Sequence, residues 1–566
     1  MQTEEISLSS SLPSSLPVKI IPLGGLGEIG LNMMAIEYND TIVLIDAGVM
    51  FPEEQMFGID IVIPDFGYLR NHPEKVRALV VTHGHEDHIG AIPFLLQEFP
   101  LPIYGTTFTL ALIKEKLAEH NLLGKASLNR IVPKESFSVG PFTIEPYRVC
   151  HSIPDGVGLI ISTPQGIIVH SGDFKIDHTP IDGNLLDVKS LSVYAEKGVT
   201  LLMSDSTNVE REGYTLSEKD IAKTFRDIFQ TARGRIIVAV FSSNIHRIQQ
   251  IVYMARQFGR KVLFHGKSIQ TNVRIAEELG YIEVLPEDKI SLKDLPFMPD
   301  HKVVIVTTGS QGEPMSALTR IAFDDHKWIK LKRGDTVVLS SKFIPGNERT
   351  IHNVINNLYR RGAEVIYESV EEIHVSGHAH REELKWLIGI VRPKFFMPIH
   401  GEYRHLVKHC ALAEEMGIPR ERCLLVENGD VVSIYKDEVV VNGKAASGRV
   451  FVDGKGVGDV GGPVLRDRKH LAEDGLVIVS LVIDQEYRGI LSGPDVFSRG
   501  FISEEMSSDI IYCAQCLILE IFDRYLEQGI TPDTGEIQRE IRKELKKFFV
   551  KILGRRPLIY PIIMEV

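Results

Sequence analysis

One short run of polar residues constrains this chain more than any other feature of its sequence. A β-rich, apolar stretch ends at Thr82, and His83-Gly84-His85-Glu86-Asp87-His88 follows directly. Three imidazoles and two carboxylates in one tight turn, just before a helical run that begins near Ile89, predict a metal site rather than a polar turn with chance histidines. The spacing lets His83 and His85 face one ion while Asp87 and His88 face a second ion about 4 Å away.

Other candidate ligands also stand where an apolar strand ends. His151 follows TIEPYRVC, Asp173 follows GIIVHSG and His400 follows KFFMPI. Because sites in α/β folds gather at the carboxyl ends of strands, we expect these residues to converge on the first cluster. The expected ligand sets, with Asp173 bridging the two ions, are His83, His85 and His151 on one ion and Asp87, His88 and His400 on the other.

This ligand set also predicts the chemistry. Imidazole and carboxylate ligands suit zinc, or manganese given the carboxylates. Two such ions polarise an acyl or phosphoryl oxygen and lower the pKa of a shared water to about 7, which supplies hydroxide at neutral pH. The sequence therefore indicates a hydrolase.

The alternation of strands and helices divides the chain into regions. Residues 18–174 are rich in strands, whereas helices and strands alternate from about Leu216, as expected for a mostly parallel sheet. A glycine-rich passage over 453–463 precedes a C-terminal region with two amphipathic helices and a final strand. Gly25-Leu26-Gly27-Glu28-Ile29-Gly30 matches a dinucleotide-binding pattern, but two short strands follow it instead of a helix, so we expect turns at these glycines.

Composition sets outer limits on function. The 566 residues carry a formal net charge of −12, so a polyanionic substrate requires locally concentrated basic side chains. No apolar stretch approaches the roughly 20 residues that span a bilayer, and no membrane partner is expected. The Ser- and Pro-rich N-terminus carries acidic residues and no early basic one, which is typical of a disordered tail rather than a signal peptide.

The five cysteines are odd in number and scattered, which indicates a reducing compartment, and we expect a cytoplasmic protein. Cys513 and Cys516 form a C-x-x-C pair inside the apolar run IIYCAQCLILEIF. We expect both thiols to face a core, because no second pair supports a zinc or redox site.

The ligand motifs together resemble the metallo-β-lactamase superfamily, in its β-CASP branch of nucleases. Three further segments fit that branch: Ser204-Asp205-Ser206-Thr207-Asn208, His374-Val375-Ser376-Gly377-His378 and Pro398-Ile399-His400-Gly401-Glu402. With Phe241-Ser242-Ser243-Asn244-Ile245-His246-Arg247 and the C-terminal region, the resemblance is closest to the bacterial ribonuclease J family and covers the chain beyond its N-terminal tail.

The resemblance implies an α/β fold class: a metallo-β-lactamase αββα sandwich interrupted by a β-CASP α/β domain, plus a small α+β C-terminal domain. The long interval between Asp173 and His400 fits such an insertion. The implied boundaries are a disordered tail (1–17), the first part of the hydrolase domain (18–212), the β-CASP domain (213–370), the second part of the hydrolase domain (371–448), a Gly-rich linker (449–465) and a C-terminal oligomerisation domain (466–566).

The implied activity is metal-dependent cleavage of RNA, by 5′-to-3′ exonuclease and endonuclease action, in mRNA decay and in maturation of rRNA and other RNA. We expect hydroxide to attack the phosphodiester in line with the 3′ oxygen and to leave a 5′-phosphate on the product. In this hypothesis His378 protonates the leaving oxygen, Asp205 keeps His378 charged, and Asp87 orients the hydroxide and accepts its proton. Asp205 as a simple cap or turn residue is the alternative.

Substrate phosphates are bound by hydrogen-bond donors that lie on small side chains or on the backbone. The turn before the predicted helix NIHRIQQIV and the segment around His378 offer hydroxyls, an amide and helix N-terminal N–H groups. By resemblance they hold the substrate phosphate and a 5′-monophosphate end, and the residues expected to do so are Ser242, Ser243, Asn244, His374, Val375, Ser376, Gly377 and His378. Strand-to-helix turns without a ligand are the alternative.

The family pattern further allows a structural calcium ion held by carbonyl oxygens of Phe57 and Ile59 and by the carboxylate of Asp453. The helix REIRKELKKFFVKILGRR has a basic side that fits a solvated face better than an RNA contact. Ile541, Leu545, Phe548 and Ile552 form its expected apolar side. Resemblance assigns the C-terminal region to self-association, as a homodimer or homotetramer, and leaves room for other RNA-decay proteins as partners.

Three other functions compete with this interpretation. A DNA-processing β-CASP nuclease is disfavoured by His400, since DNA-acting members tend to have Val at this position. A small-ester or thioester hydrolase of the same superfamily would not need the inserted domain. An RNA-binding scaffold with a vestigial site is disfavoured by the complete ligand set.

Overall fold

A computed structural model of the chain describes residues 16–53, 55–313, 315–341, 343, 347–367, 375–436, 438–454, 456–484, 489–530 and 533–566. These residues form two compact units, the first from the described residues up to Phe51 together with Val62–Val450, and the second from Pro52–Ile61 and Phe451–Val566. The predicted tail lies outside the described residues except for Leu16 and Pro17.

The first unit begins with a strand-rich region, as predicted. Its elements in chain order are β1 (Val18–Gly24), β2 (Leu26–Gly27), β3 (Met33–Tyr38), β4 (Thr41–Ile45), β5 (Ile61–Pro64), α1 (Gly67–Arg70), β6 (Val76–Val80), α2 (Glu86–Ile89), α3 (Ile92–Glu98), β7 (Ile103–Gly105), α4 (Thr107–Glu119), β8 (Leu128–Arg130), β9 (Phe137–Val139), β10 (Phe142–Arg148), β11 (Val157–Thr163), β12 (Gly166–His170), α5 (Val188–Lys197) and β13 (Val199–Asp205).

An α/β region follows and the chain then returns to the first region. The α/β region consists of α6 (Ile221–Thr231), β14 (Ile236–Ala239), α7 (Ile245–Gln257), β15 (Lys261–His265), α8 (Lys267–Glu278), β16 (Val303–Thr307), α9 (Ala317–Ala322), β17 (Thr336–Leu339), α10 (Glu348–Arg360) and β18 (Glu364–Ile366). The returning elements are α11 (Arg381–Val391), β19 (Phe395–Ile399), β20 (Gly401–Glu402), α12 (Tyr403–Glu415), β21 (Asp430–Ile434) and β22 (Val439–Lys444).

Two sheets face each other in the hydrolase region. Their strand orders are β22-β21-β1-β3-β4-β6-β7-β8 and β19-β13-β12-β11-β10-β9. One core joins their inner faces, with Ile36 and Val43 from the first sheet and Leu159, Leu201 and Met397 from the second. The outer face of the second sheet packs against α5, α11 and α12. The predicted sandwich of sheets covered by helices is confirmed.

The returning chain completes the second sheet rather than forming a separate layer. β13, the last strand before the α/β region, pairs in parallel with β19, and Asp205 stands in register with Ile399. The carboxyl ends of β13 and β19 therefore lie side by side, which brings His400, the residue after β19, next to Asp205.

The inserted region has a sheet of its own, with the order β15-β16-β14-β17-β18 and parallel pairing throughout. β14 is central, and the chain moves to one side of it for β15 and β16 and to the other side for β17 and β18. The carboxyl end of β14 is therefore a point where the strand order reverses, and it leads directly into Phe241–Asn244.

The glycine run near the N-terminus forms turns, as predicted. Gly25, Gly27 and Gly30 all have positive φ, at +89°, +78° and +95°. β2 lies within the run and β3 follows it, so this segment has no helix N-terminus for a pyrophosphate to bind. The hairpin of β3 and β4 turns at Asn39 and Asp40.

The second unit contains the C-terminal elements, which are β23 (Arg449–Asp453), β24 (Gly456–Val457), α13 (Gly462–Asp474), β25 (Leu476–Ile483), β26 (Ile490–Arg499), α14 (Glu504–Glu527), α15 (Thr534–Leu553) and β27 (Leu558–Glu565). The predicted Gly-rich linker segment thus contains short paired strands and the start of α13. β25 pairs with β26 and β27, and one face of this sheet packs on α14 and α15. No helix of the described residues is both long and apolar enough to span a bilayer.

The expected core position of the C-x-x-C pair is wrong. Cys513 is exposed and Cys516 is only half-buried. The buried stripe of α14 consists of Ala514, Ile518 and Ile521, which face the sheet. Because the run is apolar all round, its composition did not reveal which face the sheet covers.

The basic helix α15 buries a stripe close to the expected one. Ile537, Ile541, Leu545 and Phe549 are buried, whereas Ile552 is exposed. Phe549 rather than Phe548 therefore ends the buried side. On the solvent side, Lys543 pairs with Glu540 and Lys547 with Glu544.

A buried ion pair joins two neighbouring strands of the inserted sheet and predicts a large stability effect. Arg235 Nε lies 3.0 Å from Asp335 Oδ1, and both residues are almost fully buried. Arg235→Met leaves a buried carboxylate without its partner, so the free energy of unfolding should fall by about 3–5 kcal/mol, measured by urea denaturation. Lys543→Met, which breaks an exposed pair, should cost less than about 1 kcal/mol. Equal losses in the two variants would contradict this prediction.

Candidate metal centre

The polar turn after β6 is held in place by backbone packing. His83 and His85 lie in the loop, and the short helix α2 carries Asp87 and His88. Ala47 N donates to His88 O and Asn32 N to Asp87 O. A Cβ at Gly48 would lie 1.6 Å from Asp87 O, so only glycine permits this approach. The turn is therefore fixed against the ends of the first sheet.

The first group of ligand atoms comes from His83, His85, His151 and Asp173. His85 Nδ1 lies 3.0 Å from His83 Nε2 and 3.0 Å from His151 Nε2. Asp173 Oδ2 lies 3.6 Å from His83 Nε2 and 3.8 Å from His151 Nε2. These are the residues that the sequence placed on one ion.

The second group comes from Asp87, His88, Asp173 and His400. Asp173 Oδ2 lies 3.3 Å from His88 Nε2 and 3.7 Å from His400 Nε2. His400 Nε2 also lies 3.2 Å from Asp87 Oδ2. The same oxygen of Asp173 thus faces both groups, in the bridging position that the sequence predicted.

The electrostatics of the first group suit a cation. Burial lowers the pKa of His85 to about 4, and it lowers the pKa values of His83 and His151 well below the usual range. The lowered pKa values favour neutral rings, whose nitrogen lone pairs can bind a cation. The residues present therefore fit a divalent metal ion.

The second group contains more carboxylates than the first group. Burial opposes the charged form of His400, but Asp173, Asp87 and Asp205 outweigh it and raise the pKa to about 9. Burial also opposes the charged form of His88, yet Asp173, Asp87 and Asp46 raise its pKa well above the usual range. Two carboxylates therefore supply the negative charge that a second divalent ion would neutralise.

Asp46 orients two of these imidazoles, and the sequence analysis missed it. Its Oδ2 accepts from His88 Nδ1 at 2.7 Å and from Thr82 Oγ1 at 2.8 Å, and Thr82 Oγ1 lies 3.0 Å from His83 Nδ1. Because these contacts use Nδ1 of His83 and His88, Nε2 of both rings is left to bind a metal ion. An acid directly after the strand TIVLI was a usable signal, since Asp173 and Asp205 also follow strands.

His378 and Asp205 form a pair beside the second group. His378 Nδ1 lies 2.8 Å from Asp205 Oδ2, and the His378 side chain keeps 21% exposure, more than the neighbouring imidazoles. Burial opposes the charged form of His378, but Asp205 raises its pKa above the usual range. Asp205 thus favours the charged form of this ring at the edge of the cluster, and Nε2 is left for another partner.

The segment before His378 contacts the cluster through its backbone. Gly377 O lies 2.7 Å from His151 Nδ1, and a Cβ at Gly377 would meet the His151 ring at 2.6 Å. Ser376 Oγ accepts from Asn208 Nδ2, and Val375 is buried. His374, which was expected to bind phosphate, lies outside the described residues.

The other predicted phosphate-binding segment joins β14 to α7. Asn244 caps α7, since its Oδ1 accepts from Arg247 N at 3.1 Å. Ser242 and Ser243 are half-buried and stand at the helix N-terminus. The side chain of Asn244 therefore serves the helix, while the hydroxyls remain available to a ligand.

The predicted calcium ligands contact an arginine instead. Arg468 Nη1 donates to Phe57 O at 2.9 Å, and Arg468 Nη2 donates to Asp453 Oδ2 at 2.5 Å. The guanidinium thus uses two of the oxygens that were assigned to calcium, the third being Ile59 O. The spacing of the predicted calcium ligands did not indicate this contact, because Arg468 lies outside their segments, in α13.

Comparison with known families divides the chain in the same way as its fold. The family models that match are the metallo-beta-lactamase superfamily (residues 26–215), the ribonuclease J beta-CASP domain (233–358), the Zn-dependent metallo-hydrolase RNA specificity domain (362–423) and the ribonuclease J C-terminal domain (463–566). The RNA specificity match contains both His378 and His400.

Curated relatives match over nearly the whole chain. Ribonuclease J of Thermus thermophilus is 43% identical, covering 97% of this chain and 95% of the relative. Ribonuclease J2 of Bacillus subtilis is 41% identical, with 97% and 99% covered. Among solved structures, a protein of unknown function from Enterococcus faecalis superposes with a TM-score of 0.53 at 16% identity, covering 74% of this chain and 100% of that one, which supports the fold alone.

The contacts of Asp46 predict that metal binding depends on it. Asp46 Oδ1 also accepts from Thr82 N at 2.8 Å, so the carboxylate accepts from three donors. Asp46→Asn places an amide N–H₂ against one of these donors, so His83 or His88 should lose its orientation. We expect divalent metal affinity to fall about 10–100-fold, measured by zinc competition against a chromophoric chelator. Asp65→Asn, at a surface pair with Arg70, is the control. Unchanged affinity in Asp46→Asn would show that its contacts do not orient the ligands.

Proposed function

This chain belongs to the ribonuclease J family and is a metal-dependent ribonuclease, and from that premise we propose that it cleaves RNA with two divalent ions as a 5′-to-3′ exonuclease and an endonuclease. The observation that carries the proposal is the single oxygen of Asp173 that faces four imidazole nitrogens, with the His378–Asp205 pair next to it. The ligands we assign are His83, His85 and His151 with one ion, Asp87, His88 and His400 with the other, and Asp173 with both.

When bound, the two ions supply a nucleophilic water at neutral pH and neutralise charge on the phosphoryl oxygens. The residues of the chain are proposed to carry out the proton transfers and to orient the reacting groups. Asp87 orients the water and accepts its proton as the water oxygen bonds to phosphorus. The bond from phosphorus to the 3′ oxygen breaks, and the phosphate stays at the 5′ end of the product.

The leaving 3′ oxygen needs a proton, and we assign its delivery to His378. Nδ1 of this ring donates to Asp205, so Nε2 carries the proton that is transferred. The raised pKa favours the protonated form of the ring, which is the form that a general acid needs. Its partial exposure lets a substrate reach it, whereas the neighbouring His400 ring is buried.

Two segments are proposed to hold substrate phosphates. Ser242 and Ser243 follow β14, where the strand order reverses, and ligands of open parallel sheets bind at such points. Together with the N–H groups that begin α7, they suit a phosphate, and a 5′-monophosphate end would be anchored there. His374, Val375, Ser376 and Gly377 are proposed to do the same from the hydrolase side.

RNA rather than DNA is the substrate, in line with the RNA specificity domain and with the ribonuclease relatives. His400 stands where DNA-acting members of the branch tend to have Val. The inserted α/β domain disfavours a small-ester hydrolase, and the complete ligand set disfavours an inactive scaffold.

Zinc is the ion we propose, with manganese as the alternative, because five imidazoles outnumber two carboxylates when the two ligand groups are taken together. A structural calcium ion at Phe57, Ile59 and Asp453 stays a prediction. Calcium binding there would require the Arg468 side chain to move away from Phe57 O and Asp453 Oδ2, to which it donates.

The cellular setting is also proposed from the family pattern. We place the protein in the cytoplasm, in mRNA decay and rRNA maturation, as a homodimer or homotetramer that associates through its C-terminal domain. Other RNA-decay proteins are candidate partners. The domain boundaries inferred from the sequence belong to the same proposal.

RNAs that differ in their 5′ ends test the exonuclease activity directly. The purified protein should convert 5′-monophosphorylated RNA to mononucleotides, act more slowly on the 5′-triphosphate form, and cut circular RNA only internally. Products are separated by denaturing electrophoresis and thin-layer chromatography. EDTA should abolish all three activities, and added zinc or manganese should restore them. Cleavage confined to DNA, or activity that survives metal removal, would overturn the proposal.

His378→Ala tests the general acid. Without a proton donor for the leaving oxygen, kcat should fall about 10²–10⁴-fold, while both metal ions remain bound. The wild-type rate should decrease as the pH rises through the raised pKa of His378, and that alkaline decrease should be absent from the variant. Metal content is measured by elemental analysis and kcat by single-turnover kinetics. A variant with full metal content and wild-type kcat would remove His378 from the mechanism.

A further inference from the structure

The hydroxyl of Thr207 lies between a metal-facing imidazole and a carboxylate. Thr207 follows β13 two residues after Asp205. Its Oγ1 lies 2.7 Å from Asp205 Oδ1 and 2.7 Å from His400 Nδ1. Both partners are almost fully buried. The hydroxyl therefore connects the pair that contains His378 to the second group of ligands.

The direction of the two hydrogen bonds follows from counting protons. A hydroxyl has one hydrogen, and a carboxylate oxygen only accepts. Asp205 Oδ1 already accepts from Thr207 N at 3.0 Å and also receives the hydroxyl hydrogen. The oxygen of Thr207 must then accept from His400 Nδ1, so Nδ1 carries a proton and Nε2 is the ring nitrogen that faces Asp87 and Asp173.

The other ligand group contains the same arrangement. Thr82 Oγ1 donates to Asp46 Oδ2 at 2.8 Å and lies 3.0 Å from His83 Nδ1. Each group thus has one imidazole that is held by a threonine hydroxyl, which a buried carboxylate holds in turn. The two arrangements come from separate parts of the chain, β6 with β4 and β13 with β19.

His400 needs such support because its backbone is strained. Its φ is +52°, in the left-handed region that residues other than glycine rarely adopt. Ser206 N donates to Ile399 O at 2.9 Å, and Thr207 Oγ1 lies within 3.2 Å of His400 O. The loop after β13 therefore fixes both the backbone and the ring of His400.

From this geometry we propose that Thr207 is a positioning residue for the second metal ion. Its hydroxyl fixes the orientation and the tautomer of His400, and it ties that ligand to Asp205. This inference rests on the proposed two-metal function, because it concerns the ion that His400, His88, Asp87 and Asp173 would bind. The first ligand group has no contact with Thr207 among the interactions of the described residues.

Zinc titration of three variants tests the proposal. Thr207→Val keeps the shape but removes the hydroxyl, Thr207→Ser keeps the hydroxyl, and Thr319→Val removes a buried hydroxyl that pairs with Ser316, far along the chain in the inserted domain. Apo-protein is titrated with zinc against a chromophoric chelator, which resolves two ions. We expect Thr207→Val to bind one ion normally and the other about 10–100-fold more weakly, while Thr207→Ser and Thr319→Val bind both as the wild type does.

The outcomes separate this inference from the proposed function. If the wild type fails to bind two zinc ions, the two-metal function falls and the inference falls with it. If the wild type binds two ions and Thr207→Val does too, with unchanged affinity, only the inference is overturned. Equal weakening of both ions, or a loss in Thr207→Ser as large as in Thr207→Val, also overturns it, because either result indicates a general structural defect. Cobalt substitution provides a second readout, since a disoriented His400 should alter the visible absorption of one ion only.

Discussion

Four imidazole nitrogens and one carboxylate oxygen dominate this structure. Asp173 Oδ2 stands between 3.3 and 3.8 Å from Nε2 of His83, His88, His151 and His400. Buried polar groups at such density are unfavourable unless cations compensate them. The surrounding fold is organised to hold these rings. Two sheets end at this point, and the buried Asp46 and Thr82 and the half-buried Thr207 contact Nδ1 of His88, His83 and His400, the nitrogen atoms that face away from the centre.

Much of this centre was predictable because its ligands follow strands. His83, His85, Asp87 and His88 lie in one turn, so their proximity is a property of the local sequence. His151, Asp173 and His400 were found by a general rule about strand ends. Asp46, Thr82 and Thr207 were not identified. The position of Asp46 after a strand was a usable signal, whereas a threonine after a strand acquires meaning only from the ring nitrogen that it contacts.

One wrong expectation and one unpredicted contact have a common physical origin, which is that sequence patterns do not specify partners. The thiols of Cys513 and Cys516 lie off the stripe of α14 that the C-terminal sheet covers, although their neighbours in sequence are apolar. The oxygens assigned to calcium are contacted by Arg468 from a helix that is distant in sequence. In each case a surface elsewhere in the chain decided the environment of the residue.

The pairing of β13 with β19 has a consequence for biosynthesis. Asp205 and His378 are separated by 173 residues, and Asp87 and His400 by 313 residues, with the inserted domain between them. A nascent chain that has not yet extruded β19 can contain the His83–His88 turn, but it lacks His400, which is one of the proposed ligands. Under the proposed assignment, the ligand set is therefore complete only after the whole inserted domain has emerged from the ribosome.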